Sequence, residues 1–219
     1  MKDVLGLLCS GIGLGLFLNQ AVAQRPFESW LTASVSQRYD YGLEFKMEAE
    51  QRFSTGEQVY RRYELTPQVI WHYSPRYDFS VGFEENRQWN DQGDDTAGHE
   101  GFFSGSIKAK LKQWEFSSRQ RFQFGWDDEE NTAGIFRQRT ELIYNDERFP
   151  FKLKPFLSDE WFLDLLEGQG IVENRLQLGL RYEINRSASL ELYGMMQNEW
   201  SGAEEGTTPV LGLNLNFVF

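Results

Sequence analysis

Cysteine is almost missing from this chain, and the single one, Cys9, lies in an N-terminal stretch that reads as removable. A lone cysteine excludes an internal disulfide, and a mature chain without thiols fits an oxidising compartment. Histidine is nearly as scarce, with only His72 and His99. Basic residues are in the minority, 22 Lys and Arg against 33 Asp and Glu, for a formal charge of −11. Binding to a phosphate backbone needs a basic face, so nucleic acid is excluded as a partner. Long apolar runs are lacking too. Beyond the N-terminus no stretch reaches the roughly 18 uninterrupted apolar residues of a spanning helix. Mean hydropathy is negative, which argues against a membrane protein only if helices are the sole way across. Barrel strands show alternate side chains to lipid and to water, so their average stays low.

What the chain does have is alternation. Residues 1–23 read as a cleaved signal peptide: Lys2, an apolar run from Val4 to Leu18, then Ala21-Val22-Ala23. From Gln24 to Phe219 the hydrophobic period is two. Leu43, Phe45, Met47 and Ala49 alternate with Glu44, Lys46, Glu48 and Glu50. The same rhythm recurs through Tyr77–Phe83, Phe103–Leu111, Leu176–Tyr182 and Leu190–Met196. It closes the chain, where Leu211, Leu213, Leu215, Phe217 and Phe219 share one face and Gly212, Asn214, Asn216 and Val218 the other. An apolar row with a polar row behind it suits a strand between lipid and a watery lumen. The reading is all-β: a single closed antiparallel transmembrane β-barrel of about 10–12 strands in the outer membrane of a Gram-negative envelope. The last aromatics, with Leu215, Phe217 and Phe219, resemble the signal by which barrel-assembly machinery recognises such proteins.

The connections alternate between short turns, such as Ser74–Arg76 and Asn145–Arg148, and longer acidic loops, such as Asn90–Glu100, Asp127–Ala133 and Asp159–Gly170. Short turns belong in the periplasm and long loops outside. Trp89, Trp126, Trp161 and Trp200 fall where strands enter the loops. Trp71, Tyr73, Trp114, Tyr144, Tyr182 and Phe219 fall at the turn end, so two aromatic girdles emerge. Three features strain the pattern. The tally from Trp30–Gln37 onward is eleven, an odd number that starts the first strand on the outside. Pro67 and Pro155 fall inside strands and require a bulge or an unpaired position. Ser118 and Gln120 are polar on the lipid side.

Several runs carry a likeness to a known group. Glu28-Ser29-Trp30, Lys154-Pro155-Phe156-Leu157-Ser158-Asp159-Glu160, Glu173-Asn174-Arg175-Leu176 before Leu178-Gly179-Leu180, and the Leu-Gly-Leu at 211–213 resemble an uncharacterised outer-membrane β-barrel family, the domain of unknown function 2490 family. The resemblance spans essentially the mature chain. It implies the barrel and its location, and no reaction or cargo.

The lumen is the candidate site. Inward positions of the middle strands read as a basic wall: Lys108, Lys110, Arg119, Arg121, Arg137, Arg139, Lys152 and Lys154. The early strands read as an acidic wall of Glu44, Glu48, Glu50, Glu64, Asp78 and Glu84, joined by Glu160. Two lumens fit. One is a narrow porin-like passive channel whose transverse field passes small polar or charged solutes. The other is a lumen filled by paired side chains, in a non-conducting structural or binding protein of the surface. A lipid-modifying enzyme would need His72 or His99 as its base. His99 reads as a solvated loop residue and His72 as a lumen histidine with its hydrogen bonds met, so no catalytic residue is assigned. The acidic loops (Asp91, Asp94 and Asp95; Asp127, Asp128, Glu129 and Glu130; Glu204 and Glu205) face anionic lipopolysaccharide and offer oxygens for bridging calcium or magnesium. Their spacing defines no metal site, and no cofactor is called for. The partners that follow are outer-membrane lipid, lipopolysaccharide and the assembly machinery.

Overall fold

A computed structural model describes residues 27–55, 60–90, 95–127, 132–146, 148–200 and 206–219. The proposed signal peptide, Cys9 and most of the acidic loop residues lie outside them. Among the described residues, eleven strands form one closed barrel: β1 (Phe27–Arg38), β2 (Leu43–Thr55), β3 (Tyr60–Ser74), β4 (Tyr77–Asn90), β5 (Asp95–Leu111), β6 (Trp114–Asp127), β7 (Thr132–Tyr144), β8 (Leu153–Asp164), β9 (Ile171–Asn185), β10 (Ala188–Glu199) and β11 (Gly206–Val218). Each strand pairs antiparallel with its successor, and the wall closes where β11 meets β1 in parallel.

The parallel seam is the physical answer to the odd tally. Strands joined by hairpins alternate in direction, so the first and last of an odd set run the same way. A barrel surrounded by lipid can leave no edge unpaired. The register at the seam, Trp30 against Gly212 and Leu31 against Leu213, keeps inward residues beside inward ones. Pairing runs to the end of the chain: Phe219 N donates to Ser36 O at 2.9 Å, and Arg38 N to Phe219 O at 2.9 Å.

The outer surface is apolar. Leu178, Val81, Phe45 and Phe103 are more than half exposed, an arrangement that suits hydrocarbon and not water. Aromatic contacts gather at both rims. Trp161 stacks on Trp200 at the loop end (6.2 Å), and Trp114 lies 4.9 Å from Tyr144 at the turn end.

Neither inner proline makes a bulge. Pro67 pairs with Met47 on β2, and its β4 neighbour is simply left out of the ladder while the register continues. Pro155 pairs with Leu180 on β9, just past the point where β7–β8 pairing stops at Phe156. Each proline turns its missing N–H toward a gap. The polar lipid-side residues satisfy one another: Gln120 Nε2 donates to Ser118 Oγ at 2.8 Å. Nearer the rim, Asp159 accepts from Trp161 Nε1 at 2.6 Å and Asn174 Nδ2 at 2.7 Å.

The strands reach further than the sequence pattern indicates. They consume much of the expected loops, leaving only 56–59, 91–94, 128–131, 165–170 and 200–205 between them at that end. Tilted strands go on exchanging backbone bonds above the apolar belt, where polar side chains no longer reveal them. His99 therefore belongs to β5 and not to a solvated loop, with its ring 6.0 Å from those of Phe83 and Trp126. Conversely, the turn after β7 is longer than Asn145–Arg148, because a 3-10 segment, Pro150–Lys152, precedes β8. Within that turn Asp146 accepts from Arg148 Nη2 at 2.7 Å, and this contact holds its carboxyl well below the usual carboxylate range.

Candidate functional site: the charged lumen

The inner wall is built from glycine–aromatic pairs that face each other across strands. Gly82 lies opposite Phe102, Gly179 opposite Phe156, and Gly212 opposite Tyr193. A Cβ on Gly212 would sit 1.9 Å from Tyr193 Cζ, and one on Gly82 would sit 2.3 Å from Phe102 Cζ. The missing side chains let the rings lie flat along the wall, where they cover backbone and take little of the lumen. At Gly179 the obstacle is also backbone: a Cβ would lie 2.6 Å from Leu192 O as well as from Phe156 Cζ. Gly179→Val should therefore destabilise the barrel by about 1–3 kcal/mol, the usual cost of overpacking. Urea unfolding in detergent or liposomes reads this directly.

The rings become platforms for guanidinium groups. Arg121 lies 3.8 Å over Phe102, and Arg52 3.9 Å over Trp30. Arg137 and Arg175 flank Phe162 at 4.5 and 4.6 Å, and Arg175 also reaches Trp30. Cation–π contact fixes each planar head while leaving its edge donors free to bond.

Carboxylates thread between these heads. Glu160 Oε1 accepts from Arg119 Nη2 at 3.0 Å and from Arg137 Nε at 3.2 Å. Arg139, opposite Glu160 in register, turns to Glu141 (3.3 Å) and Gln177 (3.4 Å). Arg181 bonds Glu191 at 2.6 Å, and Arg175 pairs with Glu173. On the other side Arg52 joins Glu50 (2.6 Å) to Glu64 (2.8 Å), Arg62 meets Glu64 at 2.7 Å, and Lys46 meets Glu48 at 2.6 Å. Many pairs are two residues apart on one strand, because such neighbours share a face.

Toward the turn end, His72 is held between carboxylates, Nδ1 to Asp78 at 2.9 Å and Nε2 to Glu44 at 3.1 Å. Arg38 also binds Glu44, and Lys108 binds Asp78. With both ring nitrogens engaged, His72 has no free position from which to take a serine proton. Lys110 pairs with Glu115 at 2.9 Å, and Lys154 with Glu183.

Above this layer is a cavity of about 440 Å³, lined by acidic and basic side chains in equal number. The structure brings Arg119, Arg121, Arg137, Arg139, Glu48, Glu50, Glu64, Glu84 and Glu160 to it. Glu44, Asp78, Lys108, Lys110 and Lys154 form ion pairs away from it. Lys152 does not belong to the wall. It lies exposed in the 3-10 segment with φ 54°, because the chain is still turning there and β8 has not begun. Glu84 and Glu100 face each other across β4 and β5 with no ion pair among the described residues. Sequence reasoning missed Glu100, Glu141, Glu173, Arg175, Arg181 and Glu191, together with the platforms Phe102, Phe156 and Phe162 and the inward ring of Tyr193. A usable signal existed: an aromatic in the inward phase of a strand, where the alternation calls for a polar residue.

The transverse field is accordingly weaker than two opposed walls imply, since most charges are neutralised by a near neighbour. The net cationic area is on β6 and β7, where Arg121 faces Arg137 and Arg119 faces Arg139 in register.

Among solved structures, the β domain of the Bordetella autotransporter BrkA is similar, at 11% identity and a TM-score of 0.52, over 80% of this chain and 82% of that one. An anion-selective porin from Comamonas acidovorans is matched at 10% identity and a TM-score of 0.42, over 82% of this chain and 54% of the porin. At such identities the autotransporter likeness speaks for the fold, that of an outer-membrane barrel. A comparison with curated proteins finds no match. The sequence profile described as "Protein of unknown function (DUF2490)" matches residues 27–207, almost the whole barrel, and the chain belongs to that family.

Proposed function

We propose that this protein is a narrow passive channel of the Gram-negative outer membrane, exported by a leader at residues 1–23 and passing small polar or charged solutes. The observation that carries the reading is the lumen cavity of about 440 Å³ walled by charged side chains. A barrel meant only as a plug has no need to keep such a space polar, and charged linings concentrate ions in a constriction. In planar bilayers the purified barrel should give small, discrete conductance steps. Reversing charge at both Arg119 and Arg121 should shift the reversal potential toward cation preference. No conductance under any salt condition overturns the channel.

One observation favours a second reading. The bonds of Arg119 and Arg137 to Glu160 reach across the cavity wall, and side chains paired in this way can close a small barrel. The protein would then be a non-conducting envelope component that binds through its exposed loops. Replacing 91–94 by four Gly and Ser residues, which keeps the connection between β4 and β5 at its own length, should abolish that role and spare conductance. In either case the lipid-side row of Leu215, Phe217 and Phe219 would present the assembly signal to the barrel-assembly machinery. The apolar belt would meet outer-membrane lipid and lipopolysaccharide.

A further inference from the structure

We propose that Arg121 is the centre of an anion-binding site inside the lumen, one that takes a small oxyanion, the carboxylate or phosphate group of a solute, between itself, Arg119 and Arg137. As the identity of a transported solute this rests on the channel reading; as a binding site it does not.

Arg121 stands apart from its neighbours. It is only 7% exposed, and its Nε is buried without a hydrogen-bond partner. Every other arginine lining the cavity has a carboxylate within ion-pair distance. Arg121 has none among the described residues. Its one strong contact is the face of Phe102, 3.8 Å from the guanidinium carbon. Gly82 lets that ring lie flat, so the cation rests on a prepared surface. An unpaired buried guanidinium is costly, and burial without a partner is tolerated only where something supplies the missing charge.

The surroundings concentrate the deficit. Arg121 is directly opposite Arg137, and Arg119 opposite Arg139, and like charges placed so repel. A single oxygen, Oε1 of Glu160, serves both Arg119 and Arg137. Two of these arginines thus share one acceptor and the third has none. The cavity they line is large enough for a small anion. The rigid fork of a guanidinium matches the paired oxygens of a carboxylate or phosphate better than a spherical halide.

The test uses the full barrel folded in detergent, with thermal unfolding measured at constant ionic strength in sodium chloride, sodium phosphate or sodium acetate. Phosphate or acetate should raise the midpoint saturably over chloride. Arg121→Met should remove that rise, and Lys154→Gln, at the rim, should keep it. Arg121→Lys retains the charge without the fork and should bind about tenfold more weakly, the loss expected for one charge-assisted hydrogen bond; it serves if the methionine variant does not fold. Phosphate also stabilises proteins non-specifically, so a rise that does not saturate, or that persists in both Arg121 variants, overturns the site. So does the absence of any rise. Conductance of the same preparations separates the two claims. Ion flow without the anion effect overturns this site alone, and the anion effect without ion flow overturns the channel alone.

Discussion

Glu160→Gln should be the most damaging single substitution in the lumen, costing about 3–5 kcal/mol of stability, the usual loss when one partner of a buried ion pair is removed. The change is isosteric, so no cavity forms and the effect is one of charge. Glu160 is 5% exposed. Its Oε1 is the acceptor shared by Arg119 and Arg137, with Arg139 opposite in register. Without it, Arg119 and Arg137 join Arg121 with no carboxylate of their own, and of the four arginines on these two strands only Arg139 keeps one, Glu141. The measurement is urea unfolding of wild type, Glu160→Gln, Arg137→Gln and the double variant. The double variant should recover part of the loss, because the second change removes one of the stranded cations. Four curves with additive losses, or a Glu160→Gln loss under 1 kcal/mol, would mean that water in the lumen already screens the cluster.

The second large effect is on the outside. Leu178→Arg should cost about 2–4 kcal/mol, as charged residues do at the midplane of a lipid-facing strand. Leu178 is 66% exposed on β9, and its neighbour Gln177 points inward at 6%. The comparison that makes the test specific is Ile184→Arg. Ile184 lies near the turn end of the same strand and is also exposed. At the interface the same substitution should cost only about 0–1 kcal/mol. Equal effects at the two depths would contradict a bilayer around this belt. Folding into liposomes followed by urea titration gives both numbers.

Which side each residue faces was legible along the chain. Leu43, Phe45 and Met47 look outward and Glu44, Lys46 and Glu48 inward because a strand admits only two phases, and a slip of one residue would put every charge into lipid. The tally of eleven, the two girdles and the lumen address of Arg119 through Arg139 follow from the same rule. Polarity taken as a sign of loop misled at His99, which belongs to a strand above the belt; at Lys152 the alternation was carried too far, into a turn that ends before β8 begins.

The sequence by itself therefore determined the class of structure, its relation to lipid and the face of each side chain, because period, length and hydrophobicity are properties of one strand at a time. Only the tertiary structure decided who meets whom. That Arg137 shares Glu160 with Arg119, that Phe102 lies on Gly82 and beneath Arg121, and that the odd count closes through a parallel seam all depend on the register between strands. Register is set by closing the whole ring at once, so no segment read alone contains it.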